Sequence, residues 1–119
     1  MNFQEVLAQL VDTIDGCTAG LIMGFDGIAV EQYTVDGANV DLSTLGVEYC
    51  TALGEVKRTA ESLDIGAVNE VAVQTDDALV LMRPINEEYF VALVLTSGGN
   101  FGKGRYYLRR VVRSLAQEF

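Results

Sequence analysis

Residues 89–110 read YFVALVLTSGGNFGKGRYYLRR, and the pattern of this stretch limits the possible folds. Seven consecutive aromatic or aliphatic residues, 89–95, indicate a strand. A glycine-rich connection follows. Apolar residues then recur with helical spacing over residues 106–119, at Leu108, Val111, Val112, Leu115 and Phe119. The stretch therefore predicts a strand, a loop and a helix, which is also the outline of a phosphate-binding loop.

The glycine-rich connection lacks the residues that a phosphate-binding loop needs. A Walker A motif is Gly-x-x-x-x-Gly-Lys-Ser/Thr, in which backbone amides hold the phosphates and the hydroxyl binds Mg²⁺. With Gly102 and Lys103 aligned to the motif, Ser97 replaces its first glycine and Gly104 replaces its hydroxyl residue. The Gly-x-Gly-x-x-Gly spacing of dinucleotide-binding folds is absent too. We therefore expect the glycines to serve the path of the chain, and a small nucleotide-binding enzyme is the less favoured interpretation.

The rest of the chain predicts two more helices and four more strands. An Asp26-Gly27 pair between two apolar runs indicates a hairpin. The helical patterns cover residues 3–14 and 42–63, and the strand patterns cover residues 18–24, 28–34, 68–75 and 79–83. Every link between consecutive strands is short, which favours antiparallel pairing. The sequence predicts a single α+β domain over residues 1–119. It has three layers (α/β/α), a five-stranded antiparallel sheet and the order α-β-β-α-β-β-β-α.

The long second helix carries three kinds of surface. We expect its stripe of larger apolar residues to face the sheet; these are Leu42, Leu45, Tyr49, Ala52, Val56 and Leu63. Gly46, Cys50 and Gly54 form a neighbouring flank of small residues, and interior glycines weaken a helix unless something approaches its backbone closely. This flank predicts a second helix and hence a homodimer. On the opposite side, Val47, Thr51, Arg58, Glu61 and Ser62 either contact a third protein or form a solvated face.

The charge distribution excludes several classes of function. The net charge is −9, and residues 1–56 contain no lysine or arginine. Nucleic acid is therefore a poor expected partner, because its binding depends on clustered positive charge. The apolar runs are far too short for a membrane span, and the acidic N-terminal segment does not resemble a secretory signal. We expect a cytoplasmic protein.

The residues for catalysis or metal binding are scarce. The chain has no histidine, the usual acid–base group at neutral pH, and its two cysteines do not form a metal-ligand pattern. The acidic pairs Asp76-Asp77 and Glu87-Glu88 fall at turns, where solvated charge is the ordinary explanation. We therefore expect no catalytic residue, no metal site and no cofactor.

Three stretches carry a resemblance to a known family. They are the hairpin MGFDGI (residues 23–28), the long second helix, and the terminal pattern YFVALVL followed by GNFGKGRYYLRR. Together with the element order, they resemble the Roadblock (dynein light chain) family, and within it the MglB-type GTPase regulators of bacteria and archaea. The resemblance covers the whole chain in element order.

The resemblance implies a structure, a partner and an activity. It implies a long helix on one sheet face, the two terminal helices on the other, and a homodimer that pairs the third strands and the second helices. The dimer residues would be Gly46, Cys50, Leu53, Gly54, Val71 and Val73. It also implies a non-catalytic, MglB-like activator that binds a small Ras-like GTPase on the paired second helices and remodels its switch loops. The alternative is a Roadblock-type scaffold that does not stimulate GTP hydrolysis.

The same resemblance implies a charge pairing between the terminal helices. If these helices lie side by side, Lys103, Arg105, Arg109 and Arg113 would neighbour the carboxylates of Glu5, Asp12 and Asp15.

Overall fold

The computed structural model describes all residues 1–119, which form three helices and five strands. In chain order these are α1 (Phe3–Thr13), β1 (Cys17–Gly24), β2 (Ala29–Thr34), α2 (Leu42–Ser62), β3 (Val71–Gln74), β4 (Ala78–Pro84), β5 (Tyr89–Thr96) and α3 (Phe101–Ala116). The strands form one sheet in the order β2-β1-β5-β4-β3, and every neighbouring pair is antiparallel. The predicted α+β class and element order are confirmed.

The sheet separates two apolar cores. Because side chains alternate along a strand, Val91, Leu93 and Leu95 of β5 pack with α1 and α3 on one face. Phe90 and Val94 of the same strand pack with α2 on the other face. The central strands are buried on both sides, which explains their almost unbroken apolar sequence. The predicted three-layer arrangement is confirmed.

Helix α3 begins earlier than the sequence indicated. The prediction began it at Tyr106, but it starts at Phe101, where the Asn100 side chain accepts a hydrogen bond from the Lys103 amide. Gly104 lies inside the helix because the helix packs tightly on β4: a Cβ at this position would lie 3.0 Å from Leu81 Cδ1. The glycine-rich segment is therefore mostly the first turns of a helix rather than a loop.

Gly99 of this segment lies where its loop crosses the loop that contains Gly16. Gly16 has φ +82°, and a Cβ there would lie 2.5 Å from the Cα of Gly99. The Asn100 amide donates to the Asp15 carbonyl at 2.8 Å, and the Gly99 amide donates to the Thr96 carbonyl at 2.9 Å. These amides are occupied within the protein, so they do not form a cradle for phosphate.

The ion pairs of α3 differ from the expectation. Lys103 Nζ lies 3.9 Å from Asp15, as expected, but Arg105 pairs with Glu70 at 2.7 Å. Glu70 also accepts from Arg83 at 3.1 Å, so one carboxylate joins α3 to β4. Arg109 and Arg113 make no ion pair, and their predicted pairing with α1 was wrong.

None of the three helices is both long enough and apolar enough to cross a lipid bilayer.

Candidate functional site

The five candidate partner-binding residues share one side of α2, here called the α2 stripe: Val47, Thr51, Arg58, Glu61 and Ser62. All five are exposed. Val47 is the apolar member and leaves 48% of its surface accessible to solvent. The Thr51 hydroxyl donates to the Val47 carbonyl at 3.3 Å, so its hydrogen-bonding capacity is partly used within the helix. The structure therefore brings the five residues together on one solvent-facing surface.

Arg58 is the stripe's only basic residue, and it pairs with a neighbouring carboxylate. Its guanidinium forms an ion pair with Glu55, one helical turn earlier. Both side chains are about two thirds exposed, so water screens the pair and it contributes only about 0–1 kcal/mol. A partner can therefore recruit Arg58 at little cost, but the side chain is not held in a fixed position for catalysis.

A turn beside the stripe also belongs to this surface, although no sequence pattern predicts it. Phe25, in the turn between β1 and β2, packs on Phe90 with ring centroids 5.2 Å apart. Lys57 Nζ lies 3.8 Å from the centroid of the Phe25 ring, which ties the turn to α2 through a cation–π contact. A cleft between the turn and α2 is lined by Phe25, Cys50, Thr51 and Gly54. The spacing of Phe25 and Lys57 in sequence gave no signal of this contact.

The residues proposed for the dimer separate into two groups. A Cβ on Gly46 would lie 2.5 Å from Leu21 and 2.7 Å from Met23, so this glycine lets α2 approach its own sheet. Cys50 packs over β1, with Sγ 3.7 Å from the Gly24 carbonyl, and Leu53 is fully buried. These three residues position α2 inside the protomer. Gly54 has open space around it, and Val71 and Val73 are partly buried at the sheet edge.

The larger apolar residues near the end of α2 are exposed instead. The apolar spacing predicts that Val56 and Leu63 face the sheet, but they are 40% and 63% exposed, and the following Ile65 is 73% exposed. This prediction was wrong because the small residues Gly46 and Cys50 occupy the sheet-facing side of the helix. Together with Val71 and Val73, these three residues form what we call the edge patch. A groove of about 490 Å³ runs between its α2 side and the chain leading into β3.

The two edges of the sheet differ in their protection. Strand β2 has a bulge in its pairing with β1 and carries Glu31, and both features discourage pairing with another strand. Strand β3 has the sequence VAVQ, no charge and a regular register with β4. Its outer backbone groups have no neighbouring strand. The unprotected edge thus lies beside the exposed apolar residues.

Neither cysteine has the environment of a nucleophile. Both are free and buried. Burial raises the pKa of the Cys17 thiol to about 11. Burial likewise raises the pKa of Cys50, and the Asp26 carboxylate adds to that increase. A reactive cysteine needs a lowered pKa, so both thiols are inert at neutral pH.

The fold and these surfaces define a class of protein. This three-layer domain leaves one side of a helix and one sheet edge without cover from its own chain. The chain matches no model of a known protein family and no curated protein. Solved structures, however, resemble it over its full length.

The chain belongs to the Roadblock/LC7 family. It is 39% identical to MglC from Myxococcus xanthus, with 100% of both chains covered and a TM-score of 0.73. A Roadblock/LC7 domain from Streptomyces avermitilis has a TM-score of 0.87 at 15% identity, covering 99% of this chain and 98% of that one. An MglB solved in a tetrameric arrangement has a TM-score of 0.85 at 19% identity, covering 95% of this chain and 84% of that one.

Proposed function

We propose that this protein is a homodimeric regulator that binds a small Ras-like GTPase through the α2 stripe. In this proposal it acts in the cytoplasm as an MglB-like activator. It holds the switch loops of the GTPase and supplies no catalytic residue, metal or cofactor of its own.

The exposure of Val47 within the α2 stripe is the observation that carries the proposal. An apolar residue that is 48% exposed on a helix, flanked by Thr51 and by charged residues, has the composition of an interface centre with a polar rim. The loosely paired Arg58 supports a role in binding rather than in charge neutralisation at the phosphate.

The dimer is proposed to form at the edge patch. Pairing β3 with its two-fold mate would give its outer backbone groups partners, and would bring the two α2 helices together over Val56 and Leu63. Burial of these side chains removes apolar area from water, which is the main driving force for such an association. Of the residues predicted for the dimer, Val71 and Val73 lie at this patch. Gly46, Cys50 and Leu53 act by placing α2 within the protomer, and Gly54 lines the cleft beside Phe25 instead. A tetrameric relative also supports oligomerisation through this fold.

A scaffold without activating effect is the second candidate function. The chain shares 39% of its residues with MglC but only 19% with the MglB structure. This difference weakens the specific support for MglB-like activation and leaves the Roadblock assignment intact.

The test measures binding and hydrolysis with the same proteins. A small GTPase from the source organism is loaded with a non-hydrolysable GTP analogue or with GDP, and its binding is followed by calorimetry. Single-turnover GTP hydrolysis is then measured at saturating regulator. Binding with stimulation supports the activator, and binding without stimulation supports the scaffold. Val47→Glu should abolish binding in both cases, because it places an unpaired charge in the contact.

Two outcomes contradict the proposal. Unchanged binding by Val47→Glu would move the interface to another surface. Direct retention of the regulator on an immobilised GTP analogue, with no GTPase present, would instead support the nucleotide-binding enzyme.

A further inference from the structure

Glu70, the residue before strand β3, joins the start of that strand to β4 and α3. Its Oε1 accepts a hydrogen bond from Arg83 Nη1 of β4 at 3.1 Å, and its Oε2 accepts one from Arg105 Nε of α3 at 2.7 Å. No other carboxylate of the protein is bonded to two basic side chains. The Glu70 side chain is 18% exposed, whereas the carboxylates of the other ion pairs are at least 40% exposed. This arrangement, here called the Glu70 clamp, is therefore less screened by water than the surface pairs.

The pairing of β3 with β4 explains why Glu70 meets Arg83. Val71 lies opposite Met82, so the next pair along these antiparallel strands is Glu70 with Arg83. Opposite charges that face each other across two strands stabilise the pairing of those strands. Arg105 reaches the same carboxylate from α3, which packs closely on β4. The clamp therefore continues the β3–β4 ladder through side chains by one residue pair.

The chain that leads into β3 has no other polar tie to the protein. Residues 66–70 make no backbone hydrogen bond, and Val68 contributes only apolar packing. The other end of β3 is held by the turn to β4, where the Thr75 amide donates to the Ala78 carbonyl at 2.8 Å. The position of the start of β3 therefore depends strongly on Glu70.

The burial of Arg83 makes the loss of this carboxylate costly. Its side chain is 17% exposed, and its Nε is buried without a hydrogen-bond partner. Glu70 is its only ion-pair partner. Removal of one member of a buried pair leaves the other charge uncompensated, which destabilises the structure around it. Loss of the Glu70 charge therefore favours a turn of Arg83 towards water, which releases the start of β3 from β4.

We propose that Glu70 is a positioning residue for the homodimer and holds the start of β3 in line for pairing with its two-fold mate. That role rests on the proposed dimer at the edge patch. Val71 and Val73 of that patch lie on β3, so the strand must be extended over its four residues before a mate can add to it. Arg105 belongs to α3, across the sheet from α2. The clamp therefore makes dimer formation sensitive to a residue outside the contact.

The clamp acts through the fraction of protomers whose β3 is in place. Only these protomers can pair, and a dimer needs two of them. The dimer dissociation constant therefore rises with the inverse square of that fraction, and a fraction of about one third raises it about tenfold. A residue that only stabilised the whole fold would not have this effect, because every folded protomer would remain competent to pair.

Sedimentation equilibrium measures the dimer dissociation constant of matched variants. Glu70→Gln keeps the size of the side chain and removes its charge, and we expect the constant to rise at least about tenfold. Arg105→Gln should raise it about threefold, because Arg83 keeps its partner. Arg109→Gln, one turn later on α3 and without an ion pair, is the matched control and should leave the constant unchanged. Adding Arg105→Gln to Glu70→Gln should raise the constant no further, because both changes act through one carboxylate.

Amide hydrogen exchange locates the effect within the protomer. It is measured in variants that also carry Val56→Glu, which places a charge in the proposed dimer contact so that no mate covers β3. In Glu70→Gln we expect the β3 amides that pair with β4 to exchange at least about tenfold faster, and those of β5 to change less than about twofold. Arg105 is 52% exposed, so Arg105→Gln should fold and show the same pattern more weakly.

Three results would overturn the role of Glu70. They are an unchanged dimer dissociation constant in Glu70→Gln, equal acceleration of exchange in β3 and β5, and a dimer that Arg109→Gln weakens as much as Arg105→Gln. Any of these with a dimeric wild type leaves the proposed dimer standing and removes only the clamp. A monomeric wild type would overturn both, so the two failures are distinguishable.

Discussion

Cys17 links burial at a single residue to the pH dependence of stability. It packs in the core beneath α1 and α3 and is 7% exposed. Burial raises the pKa of its thiol from 9.0 to about 11. The folded state therefore keeps the neutral thiol at pH values where the unfolded chain ionises. This pKa difference makes the free energy of unfolding depend on pH. The full free energy is present below pH 9, and it falls as the pH rises towards 11.

Cys17→Ala should remove this part of the alkaline instability. Between pH 8 and pH 10.5, the wild-type protein should lose about 2 kcal/mol of unfolding free energy more than the variant. Urea denaturation at both pH values measures the difference, and the ionisation of tyrosines and lysines cancels because both proteins contain them. Equal losses in the two proteins would show that the thiol does not carry the effect.

A substitution of the single residue Arg58 tests how the proposed activator works. An arginine finger is worth about 10³–10⁵ in hydrolysis rate, whereas a good interface contact is worth roughly 1–3 kcal/mol of binding. Because Glu55 holds Arg58 only loosely, we expect Arg58→Ala to weaken complex formation by about ten- to a hundredfold. The rate at saturating regulator should stay nearly unchanged. Normal binding with a thousandfold lower stimulation would show that Arg58 is a finger after all.

At the scale of elements, α3 shows how two glycines in one helix differ. A Cβ on Gly104 would lie 3.0 Å from Leu81, whereas a Cβ on Gly102 would meet only the Asn100 side chain at 3.9 Å. Gly102→Ala should stabilise the protein by up to about 1 kcal/mol, because alanine favours the helix. Gly104→Ala should gain less or destabilise, because Leu81 must move. Thermal unfolding of both variants decides this; equal stabilisation would mean that α3 is not pressed against β4.

The predictability of each element from sequence depended on what surrounds it. Strand β5 could be predicted because both of its faces are buried within one protomer, so its apolar run has a single explanation. The start of α3 could not be predicted from sequence, because glycine disfavours helices in general. The close contact of Gly104 with Leu81 is visible only in three dimensions.

The faces of α2 were assigned wrongly for a related reason. An apolar pattern reports which side chains avoid water, but not whether their own sheet or another molecule covers them. Gly46 and Cys50 therefore looked like a contact for a partner, and Val56 and Leu63 looked like core. The stripe from Val47 to Ser62 could be placed because its exposure follows from helical geometry alone.

For the whole molecule, the two surfaces of the proposed function lie in different places. The α2 stripe lies on one face of the sheet, and the edge patch lies beside β3. In the proposed dimer, pairing at β3 would extend the sheet and leave the α2 stripe of each protomer exposed. One dimer would then present two copies of the stripe.

This arrangement predicts that a substitution at the edge patch separates the protomers without unfolding them. Val56→Glu places a charge in the proposed contact, and we expect the dimer dissociation constant to rise at least about a hundredfold. Val47→Glu is the matched control, because residue 47 lies on the same helix with similar exposure but away from β3. In sedimentation equilibrium at micromolar concentration, wild type and Val47→Glu should have twice the 12.9 kDa mass of the chain. Val56→Glu should approach the mass of a single chain. A monomeric wild type would remove the dimer from the proposal. A dimeric Val56→Glu would move the interface away from β3, because a buried and unpaired glutamate could not be accommodated there.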